Sequence, residues 1–550
     1  MQLVRFSQVV VATCLVMLST TLCRSQPLGL IETSDDAYNG YTLIRPSNYP
    51  TAFLIDNCGN LVHEWDLPGT GNTAKLREDG LLLISQPIDG DFLAPGIEGK
   101  VMLIDQDSRV VWSFELSNDT AQLHHDIAIL PNGNLLVNAW VLRTEEDLIA
   151  AGRVPENAPG GNWSEGIYEL EILPNNGYNI VWQWDAWDHL VQDTDPDLPN
   201  YGVISEHPER LDVNKGATEG GATTFLEKDW LHFNAIGYNP DLDQIALSSR
   251  FLSEFYIIDH STTTQEARGS TGGRYGKGGD FLYRCCNPQN YNLGDADDQI
   301  TYDQHATLWV PEGLPGAGNF MLFNNQVAFG YSSVLELELP QNADGSYNRE
   351  PGQPYGYELV WDFGDGEEED YFSRITSGWQ RLPNGNTLIA QGAQGRVFEV
   401  DENDEIVWEF QNPYSTQGLL EQGDEINGNG IFRASRYSQS YPGLPDNLQP
   451  EGPLVTPAEV FGCEVGITTG LPLIEEQFLA YPNPVEDRLT ILPQESMVGQ
   501  QWVIYNALGQ AKQVGTILTD RLEIETWQWE PGVYLLQVGD QSPVRIVKMD

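Results

Sequence analysis

The sequence predicts an all-β protein: a six-bladed β-propeller followed by a small C-terminal β-sandwich. Helical periodicity is scarce across the 550 residues, whereas short β-rich runs bounded by Gly, Asn, Asp and Pro recur along the whole chain. One unit repeats: an aromatic run, a variable stretch, a second apolar run, and a turn rich in Gly and Asn that leads into a third run of Leu and Ile. Six such units at the spacing of propeller blades indicate this fold.

The recurring aromatic residues mark one strand of each unit. The aromatic runs span residues 61–65, 110–114, 180–184, 281–284, 359–363 and 406–410, and the matching turns span residues 78–80, 132–134, 239–243, 316–319, 384–386 and 427–430. A bulky aromatic side chain at one place in successive blades packs against the next blade. We therefore expect five tryptophans to belong mainly to the core between blades: Trp65, Trp112, Trp182, Trp361 and Trp408.

The first 25 residues have the pattern of a secretory signal peptide. Arg5 precedes an apolar run over residues 9–22, and small residues follow, with predicted cleavage after Ser25. A lipoprotein signal is the weaker alternative, because Leu22 stands before Cys23 where a small residue is expected. No other run approaches membrane-spanning length, so we expect an exported, soluble mature protein without a membrane span.

The chain is strongly acidic, with 80 Asp and Glu residues against 28 Lys and Arg residues and a formal net charge of −52. Nucleic acid is not an expected partner, because no broad basic surface is available to neutralise phosphates. The acidity is typical of solubility in salty surroundings, and a dedicated cation-binding role is the alternative. A few cations gathered in one pocket would still bind an anion locally.

Four cysteines remain after the leader, and export permits disulfides between them. Cys58 lies near the start of the mature chain and Cys463 lies just after the last repeat. A bridge between them would join the two ends of the repeat region, with free buried thiols as the alternative. For the adjacent Cys285 and Cys286, a vicinal disulfide and two separate thiols are both open.

Two irregular stretches interrupt the repeats. The third unit carries an insertion over residues 186–228, and the fourth begins with the glycine-rich run 272–280. This run is not a Walker loop, because no Ser or Thr follows Lys277. It is interpreted as a turned loop, and the alternative is that Arg274 and Lys277 contribute to an anion site.

Histidines at corresponding places in three units are the first sign of a functional site. His125 and His305 each lie six residues before a Pro that leads toward the turn, and His232 lies eight residues before Pro240. The innermost strands of a propeller line its central channel. Residues at equivalent positions of successive blades therefore converge near the axis, and we predict a site there.

The residues beside His232 indicate the chemistry of that site. Asn234 and Arg250 lie on the two runs joined by the turn 239–243, and their amide and guanidinium suit an anionic oxygen cluster such as sulfate or phosphate. A neutral imidazole is a nucleophile, and neighbouring His and Arg side chains stabilise an anionic group while it transfers. A Gly-x-Ser-x-Gly elbow and a distinct pair of catalytic carboxylates are both missing.

No metal and no cofactor are expected. Zinc held by three histidines is the weaker interpretation, because no carboxylates stand out to orient such ligands. Three aspartates of the insertion alternate as calcium ligands do, but the Gly and Glu of an EF-hand loop do not follow them. These aspartates are Asp193, Asp195 and Asp197.

The quoted motifs resemble those of the bacterial arylsulfate sulfotransferase family. They are Asp-Trp-x-His-x-Asn at 229–234, Ser-Ser-Arg at 248–250, His-His-Asp at 124–126 and Gln-His at 304–305. The family's six-bladed propeller agrees with the repeat count above. The resemblance implies transfer of a sulfuryl group from an aryl sulfate donor to a phenolic acceptor through a sulfated histidine, without the nucleotide sulfate donor PAPS.

The resemblance also implies roles for individual residues. His305 matches the histidine that is sulfated, and His232 and Arg250 match residues that grip the sulfate and favour departure of the phenolate. His125 matches the remaining histidine of the pocket, with its neighbour His124 as the alternative. The residues expected to bind substrate are Asn234, His124, Arg274 and Lys277.

Two departures from the family pattern lie near this site. Ala306 stands where an acidic residue often follows the sulfated histidine, and Cys285-Cys286 stands where Trp-Gly is expected. They leave two alternative functions open. One is a non-catalytic secreted surface propeller that acts as an adhesin or scaffold, and the other is a sulfate-ester hydrolase in which water replaces the phenol.

The pattern changes again from about residue 475. The segments 481–484 (Tyr-Pro-Asn-Pro), 506–510 (Asn-x-Leu-Gly-Gln) and 532–538 resemble the C-terminal sorting domain of the type IX secretion system. This resemblance implies the secretion machinery as a partner, export through the periplasm, and a secreted or cell-surface location. The predicted domains are a signal peptide (1–25), the propeller (26–460), a linker (461–474) and a β-sandwich sorting domain (475–550).

Overall fold

The computed structural model describes residues 27–364 and 371–457 and, with several short gaps, residues 478–548. The predicted signal peptide and linker lie outside the described residues, and the predicted domain boundaries stay predictions. The chain divides into two compact units, Met1–Val465 and Gly466–Asp550.

The first unit consists mainly of antiparallel sheets, which confirms the all-β prediction. Its first strands are β1 (Gly29–Thr33), β2 (Gly40–Pro46), β3 (Thr51–Ile55) and β4 (Leu61–Asp66). A sheet of consecutive strands follows, made of β5 (Ala74–Leu76), β6 (Leu82–Pro87), β7 (Gly99–Ile104) and β8 (Val110–Glu115). The next sheet contains β9 (Ala121–Ile129), β10 (Leu135–Arg143), β11 (Asn162–Leu173) and β12 (Gly177–Asp185), with helix α1 (Glu145–Ala150) after β10.

The predicted insertion follows this sheet. It contains the short parallel pair β13 (Leu190–Val191) and β14 (Leu211–Asp212), and it ends with helix α2 (Phe225–Lys228). The following sheet contains β15 (Phe233–Asn239), β16 (Gln244–Ser249), β17 (Glu254–Asp259) and β18 (Tyr283–Cys285), with helix α3 (Thr264–Ala267) after β17.

Two further sheets and a closing strand complete the first unit. One sheet contains β19 (His305–Trp309), β20 (Phe320–Asn324), β21 (Ser333–Glu338) and β22 (Glu358–Phe363). The other contains β23 (Gly378–Arg381), β24 (Thr387–Gln391), β25 (Arg396–Val400) and β26 (Ile406–Gln411). The pair β27 (Tyr414–Ser415) and β28 (Gly418–Leu419) precedes β29 (Ile431–Ser438). Within the described ranges, 3₁₀ turns lie at Pro155–Asn157, Ala186–Asp188, Ile204–Glu206, Pro288–Tyr291, Ala296–Asp298 and Gly392–Gln394.

Strand β29 closes the ring of sheets. It pairs with β2 in a sheet of order β29-β2-β3-β4. This sheet therefore combines the last strand of the unit with three strands from its beginning. Strand β1 adds to the outer edge of β26. Five of the six predicted turns join the first and second strands of a sheet. The prediction at 427–430 is wrong, because that turn leads into β29, whose partner β2 comes from the other end of the chain.

The aromatic runs form the fourth strand of each sheet, and their tryptophans lie between sheets. Trp65 is fully buried against Leu82 and Ile84 of the next sheet, and Trp408 is fully buried against Phe53. Such contacts between flat sheet faces hold each blade to the next, and replacing one buried tryptophan with Ala typically costs about 3–5 kcal/mol. Trp112 and Trp182 are buried in the same way, whereas Trp361 is only partly buried.

The adjacent cysteines of the first unit are joined. Cys285 and Cys286 form a disulfide. Both are buried in an apolar cluster that includes Phe255 and Phe320. The predicted bridge between Cys58 and Cys463 stays a prediction, because Cys463 lies outside the described residues.

The second unit has two sheets that share one core. Its strands are β30 (Phe478–Tyr481), β31 (Arg488–Pro493), β32 (Gln501–Asn506), β33 (Ala511–Thr516), β34 (Leu522–Glu525), β35 (Gly532–Val538) and β36 (Val544–Lys548). The sheet β30-β31-β34 faces the sheet β33-β32-β35-β36 across a core that includes Leu489, Ile504 and Leu536. This is the predicted β-sandwich. None of the helices in the described ranges has the length and apolar character that a membrane crossing requires.

Candidate active site

The first strands of three successive sheets bring the predicted histidines together. Strands β9, β15 and β19 are neighbours in space. The rings of His125 and His232 lie 4.4 Å apart between centroids, with their planes at 73°. His305 follows on β19, and all three residues are at most 4% exposed. In the described part of the chain, no hydrogen bond involves the Nε2 atom of any of the three, so these nitrogens are available to a ligand.

A β-bulge in each of these strands directs the side chains toward the centre. The pairing of β9 with β10, of β15 with β16 and of β19 with β20 is interrupted near the histidines. One residue near each bulge has the left-handed φ of 53°: His125, His232 and Ala306. The repeat predicted that the three histidines occupy equivalent positions, but the structure shows that they do not. His305 stands one residue earlier than His125 and His232, and Ala306 takes their backbone position.

Hydrogen bonds fix the orientation and the tautomer of His305. Its Nδ1 lies 2.7 Å from Oδ1 of Asn325 and 3.1 Å from the carbonyl oxygen of Asp303. The amide of Asn325 donates to the carbonyl oxygens of Ser373 and Thr376, so its Oδ1 is the atom turned toward His305. Because both neighbours of Nδ1 are acceptors, Nδ1 carries the proton and Nε2 carries the lone pair.

His232 is held by a buried carboxylate. Its Nδ1 lies 2.5 Å from Oδ2 of Asp229, whose other oxygen accepts from the indole of Trp140 at 3.1 Å. A carboxylate at Nδ1 stabilises the imidazolium form. This contact fixes the orientation of the His232 ring, and its Nε2 has no protein partner in the described residues.

Arg250 follows β16 and lies close to the histidines. Its Nη2 lies 3.2 Å from Oδ1 of Asp303, and its guanidinium carbon lies 5.3 Å from the ring centre of Phe251. Its Nε–H is buried without a hydrogen-bond partner in the described residues. A buried donor with no partner costs about 1–3 kcal/mol, and an anionic ligand would satisfy it.

Arg433 is a second guanidinium at this centre, and it was not predicted from the sequence. It comes from the closing strand β29, donates to Oδ2 of Asp126 at 2.6 Å, and reaches the carbonyl oxygen of Asn234 at 3.4 Å. Burial works to raise the pKa of Asp126, but Arg433 and Lys75 outweigh it and lower that pKa to about 2. No local motif marks Arg433, because ring closure alone brings it here.

Burial and cationic neighbours keep two of the histidines neutral. Desolvation is the main cause that lowers the pKa of His305 well below its usual value, and Arg250 lowers it further. The pKa of His125 is lowered well below its usual value by burial, with further contributions from the neighbouring His232, His124 and His305 and from Arg250. A neutral His305 keeps the lone pair of its Nε2 available.

Gly96 makes room for the His125 ring. The backbone N–H of His125 donates to the carbonyl oxygen of Gly96 at 2.8 Å. A Cβ at Gly96, whose φ is +85°, would lie 2.0 Å from Cε1 and Nε2 of His125. Only glycine permits this approach of the backbone to the imidazole.

Three of the predicted substrate-binding residues do not take that position. His124 is fully enclosed, with its ring stacked on Trp140 at 4.3 Å and both ring nitrogens occupied by partners. Arg274 donates to carbonyl oxygens of the turn between β15 and β16, about 20 Å along β15 from His232. Lys277 lies near the charges of Glu209 and Asp280. The two guanidinium groups that the structure places at the histidines are those of Arg250 and Arg433.

Asn234 lies at the site in a supporting position. Its amide nitrogen donates to the carbonyl oxygen of Gln304 at 2.7 Å, which fixes the backbone directly before His305. Over the ranges that the structure describes, no group of three or more His, Cys, Asp or Glu side chains is arranged to hold a metal ion.

Comparisons with solved structures give propeller-like neighbours of low sequence identity. A protein of unknown function from Bacteroides caccae is 12% identical, with 72% of this chain and 98% of that chain covered and a TM-score of 0.40. The Cps50 (Swd1) β-propeller domain of Myceliophteria thermophila is 11% identical, with 71% and 91% covered and a TM-score of 0.31. Streptogramin B lyase is 10% identical, with 76% and 95% covered and a TM-score of 0.33.

Comparisons with protein families give two matches. The arylsulfotransferase (ASST) family matches residues 30–418, and the secretion system C-terminal sorting domain matches residues 479–549. The search among curated proteins gives no match. The sorting domain makes this a secreted or cell-surface protein, as predicted. The first match covers more than half of the chain and includes every histidine and arginine of the site except Arg433, so the chain belongs to the arylsulfotransferase family.

Proposed function

We propose that this sulfotransferase moves a sulfuryl group from an aryl sulfate to a phenol through a sulfated His305. The observation that carries this proposal is the 2.7 Å contact between Nδ1 of His305 and the acceptor Oδ1 of Asn325, which holds the proton on Nδ1 and leaves the lone pair on Nε2. A neutral, oriented imidazole beside two guanidinium groups is the arrangement that attack on an anionic sulfate ester requires.

The donor ester binds with its sulfate between the cations and the histidines. Nε–H of Arg250, which has no protein partner in the described residues, donates to one sulfate oxygen, and Nε2–H of His232 donates to another. His305 Nε2 attacks sulfur in line with the departing aryl oxygen. Sulfuryl transfer, like phosphoryl transfer, has a loose transition state that positioning and cationic donors stabilise.

The two half-reactions are balanced at His305. In the first, the Nε2–S bond forms, the S–O bond to the aryl group breaks, and the phenolate leaves. In the second, the oxygen of the acceptor phenol forms a bond to sulfur, the Nε2–S bond breaks, and the proton of the acceptor phenol passes to the phenolate released in the first half-reaction. Asn325 holds Nδ1–H throughout. It thereby orients His305, which is the role expected of the acidic residue that stands at the position of Ala306 in the family pattern.

A transfer assay tests the proposal. Purified mature protein is incubated with 4-nitrophenyl sulfate with and without phenol, and both 4-nitrophenol and phenyl sulfate are measured. We expect nitrophenol release to depend on phenol and to match phenyl sulfate one for one, and Arg250→Ala to lower the rate about 10²-fold or more. Arg109→Ala, on the exposed turn before β8, is the matched control.

Two other results would contradict the proposal. Nitrophenol release that is independent of phenol, with free sulfate as the product, would identify a hydrolase. No release with any of a broad panel of aryl sulfates would favour a non-catalytic surface propeller.

A further inference from the structure

A line of hydrogen-bonded side chains leads from the buried interior to the site, and it consists of Glu165, His124 and His125. Oε2 of Glu165 lies 2.7 Å from Nε2 of His124, and Nδ1 of His124 lies 2.8 Å from Nδ1 of His125. The other oxygen of Glu165 accepts from the backbone N–H of Phe233 at 2.9 Å. The line ends at Nε2 of His125, which has no protein partner in the described residues and borders His232.

We propose that Glu165 and His124 form a proton relay that lets His125 act in turn as the acid and the base of the transfer reaction. The inference rests on the proposed function and adds a proton donor and acceptor to it. His125 is the catalytic residue of the relay, since its Nε2 faces the substrate. Glu165 and His124 are positioning residues that act through it.

The geometry allows two proton arrangements along the line. A single proton lies between the two facing Nδ1 atoms, and a single proton lies between Glu165 and His124. In the first arrangement, Glu165 donates to His124 Nε2, His124 Nδ1–H donates to His125, and His125 presents Nε2–H to the site. In the second, Glu165 is a carboxylate, His124 carries its proton on Nε2, and His125 carries its proton on Nδ1 and presents a lone pair.

The two arrangements differ by one proton, and that proton crosses at His125 Nε2. When the S–O bond of the donor breaks, the phenolate takes the proton from His125 Nε2. His125 then takes a proton on Nδ1 from His124, which takes one on Nε2 from Glu165. When the acceptor phenol arrives, its proton goes to His125 Nε2 and the same shifts run backward, so the relay is restored at the end of each cycle.

Burial supports the neutral first arrangement at rest. Desolvation lowers the pKa of His124 to about 3 and raises the pKa of Glu165 well above its usual value, so an ion pair between them is disfavoured. Asp229, Asp185 and His232 also face Glu165, and the two carboxylates help to keep it protonated. Glu165 is fully buried, so bulk water does not exchange this proton directly.

The dependence of the rate on the leaving group separates a relay from a structural role. Phenyl sulfate releases a phenolate whose conjugate acid has a pKa of about 10 and which needs a proton as it leaves. 4-Nitrophenyl sulfate releases a far more stable phenolate, for which a proton matters little. Glu165→Gln keeps the hydrogen bonds to Phe233 and His124, but its amide cannot release a proton along the line.

We expect Glu165→Gln to lower the single-turnover rate of phenol release from phenyl sulfate about 10²-fold or more, and of nitrophenol release less than about 10-fold. His124→Phe, which keeps the stack on Trp140 and breaks the line at a second place, should show the same dependence on the leaving group. Glu171→Gln, at a half-buried carboxylate near the end of the same strand β11, is the matched control and should leave both rates unchanged.

The outcomes distinguish the relay from the proposed function. Equal losses with both donors in the Glu165 and His124 variants, or no loss with either donor, would overturn the relay while leaving transfer through His305 intact. A native protein that releases neither phenol nor nitrophenol would overturn the proposed function itself. Thermal unfolding of each variant shows whether a rate change reflects loss of the fold.

Discussion

At the scale of single residues, the chemistry of the site depends on hydrogen-bond partners that no sequence motif predicts. The histidines were found from their repeated spacing, but the residue that fixes His305 was not. Asn325 follows strand β20, 20 residues after His305. Its sequence context is that of an ordinary strand end. Only the pairing of β20 with β19 brings it to His305.

Replacing Asn325 with Ala should lower kcat about 10²-fold or more, with a smaller effect on KM. Without the acceptor Oδ1, the His305 ring can rotate or move its proton to Nε2, which removes the nucleophilic lone pair. Steady-state transfer kinetics measure the change, and Asn403→Ala, in an exposed turn, is the control. Wild-type kcat in the Asn325 variant would show that His305 is held by other contacts.

At the scale of strands and sheets, local patterns predicted most of the fold. Five turns and six aromatic strands were placed correctly because each depends on residues within one hairpin. The sixth turn was misplaced, since the pairing of β29 with β2 joins residues about 390 positions apart and leaves no local signal. The same limit hid Arg433, and it left unpredicted that Arg274 of the glycine-rich run contacts the turn between β15 and β16.

A partly buried histidine connects two neighbouring sheets. His260, just after β17, lies 2.7 Å from Oδ1 of Asp243 in its own sheet and 3.0 Å from Oε2 of Glu169 on β11. Burial alone would lower the pKa of His260, but the bonds to the two carboxylates outweigh it and raise that pKa to about 9. The folded state therefore binds this proton more tightly than the unfolded state, whose histidine titrates near pH 6.5.

His260→Ala should reduce the free energy of unfolding by about 2–3 kcal/mol at pH 6. The contribution of this histidine is fully present below about pH 6.5 and is lost as the pH rises through about 9. The loss of melting temperature should therefore shrink as thermal unfolding is repeated at higher pH. His207→Ala, at a more exposed histidine, is the control. An equal loss at pH 6 and at pH 10 would contradict the charged bridge.

At the scale of the whole molecule, we expect the first unit to need its last strand, β29, but not the separate C-terminal unit. The unit Met1–Val465 contains every residue of the site, including Arg433 of β29, whereas Gly466–Asp550 has its own core. Although the net charge is −52, the cations Arg250, Arg433 and Lys75 lie together at the centre, where they pair with Asp303 and Asp126.

Two truncated chains test whether the first unit needs β29 and whether it needs the C-terminal unit. A chain that ends at Val465 should keep its activity and its melting temperature, because strand β29 is still present. A chain that ends at Gly430 should fail to fold, because it leaves β2 without its partner and an innermost edge unpaired. Activity and thermal unfolding of both chains provide the measurement, and an active chain ending at Gly430 would show that the ring does not need β29.

The most direct test of the central claim is the mass of the protein during turnover. The mature protein is mixed briefly with 4-nitrophenyl sulfate without acceptor, and its intact mass and peptides are measured beside a His305→Ala variant. We expect a gain of one sulfuryl group on the peptide that contains His305, absent from the variant and lost when phenol is added. Transfer without any adduct, or an adduct that persists in His305→Ala, would contradict the sulfohistidine route.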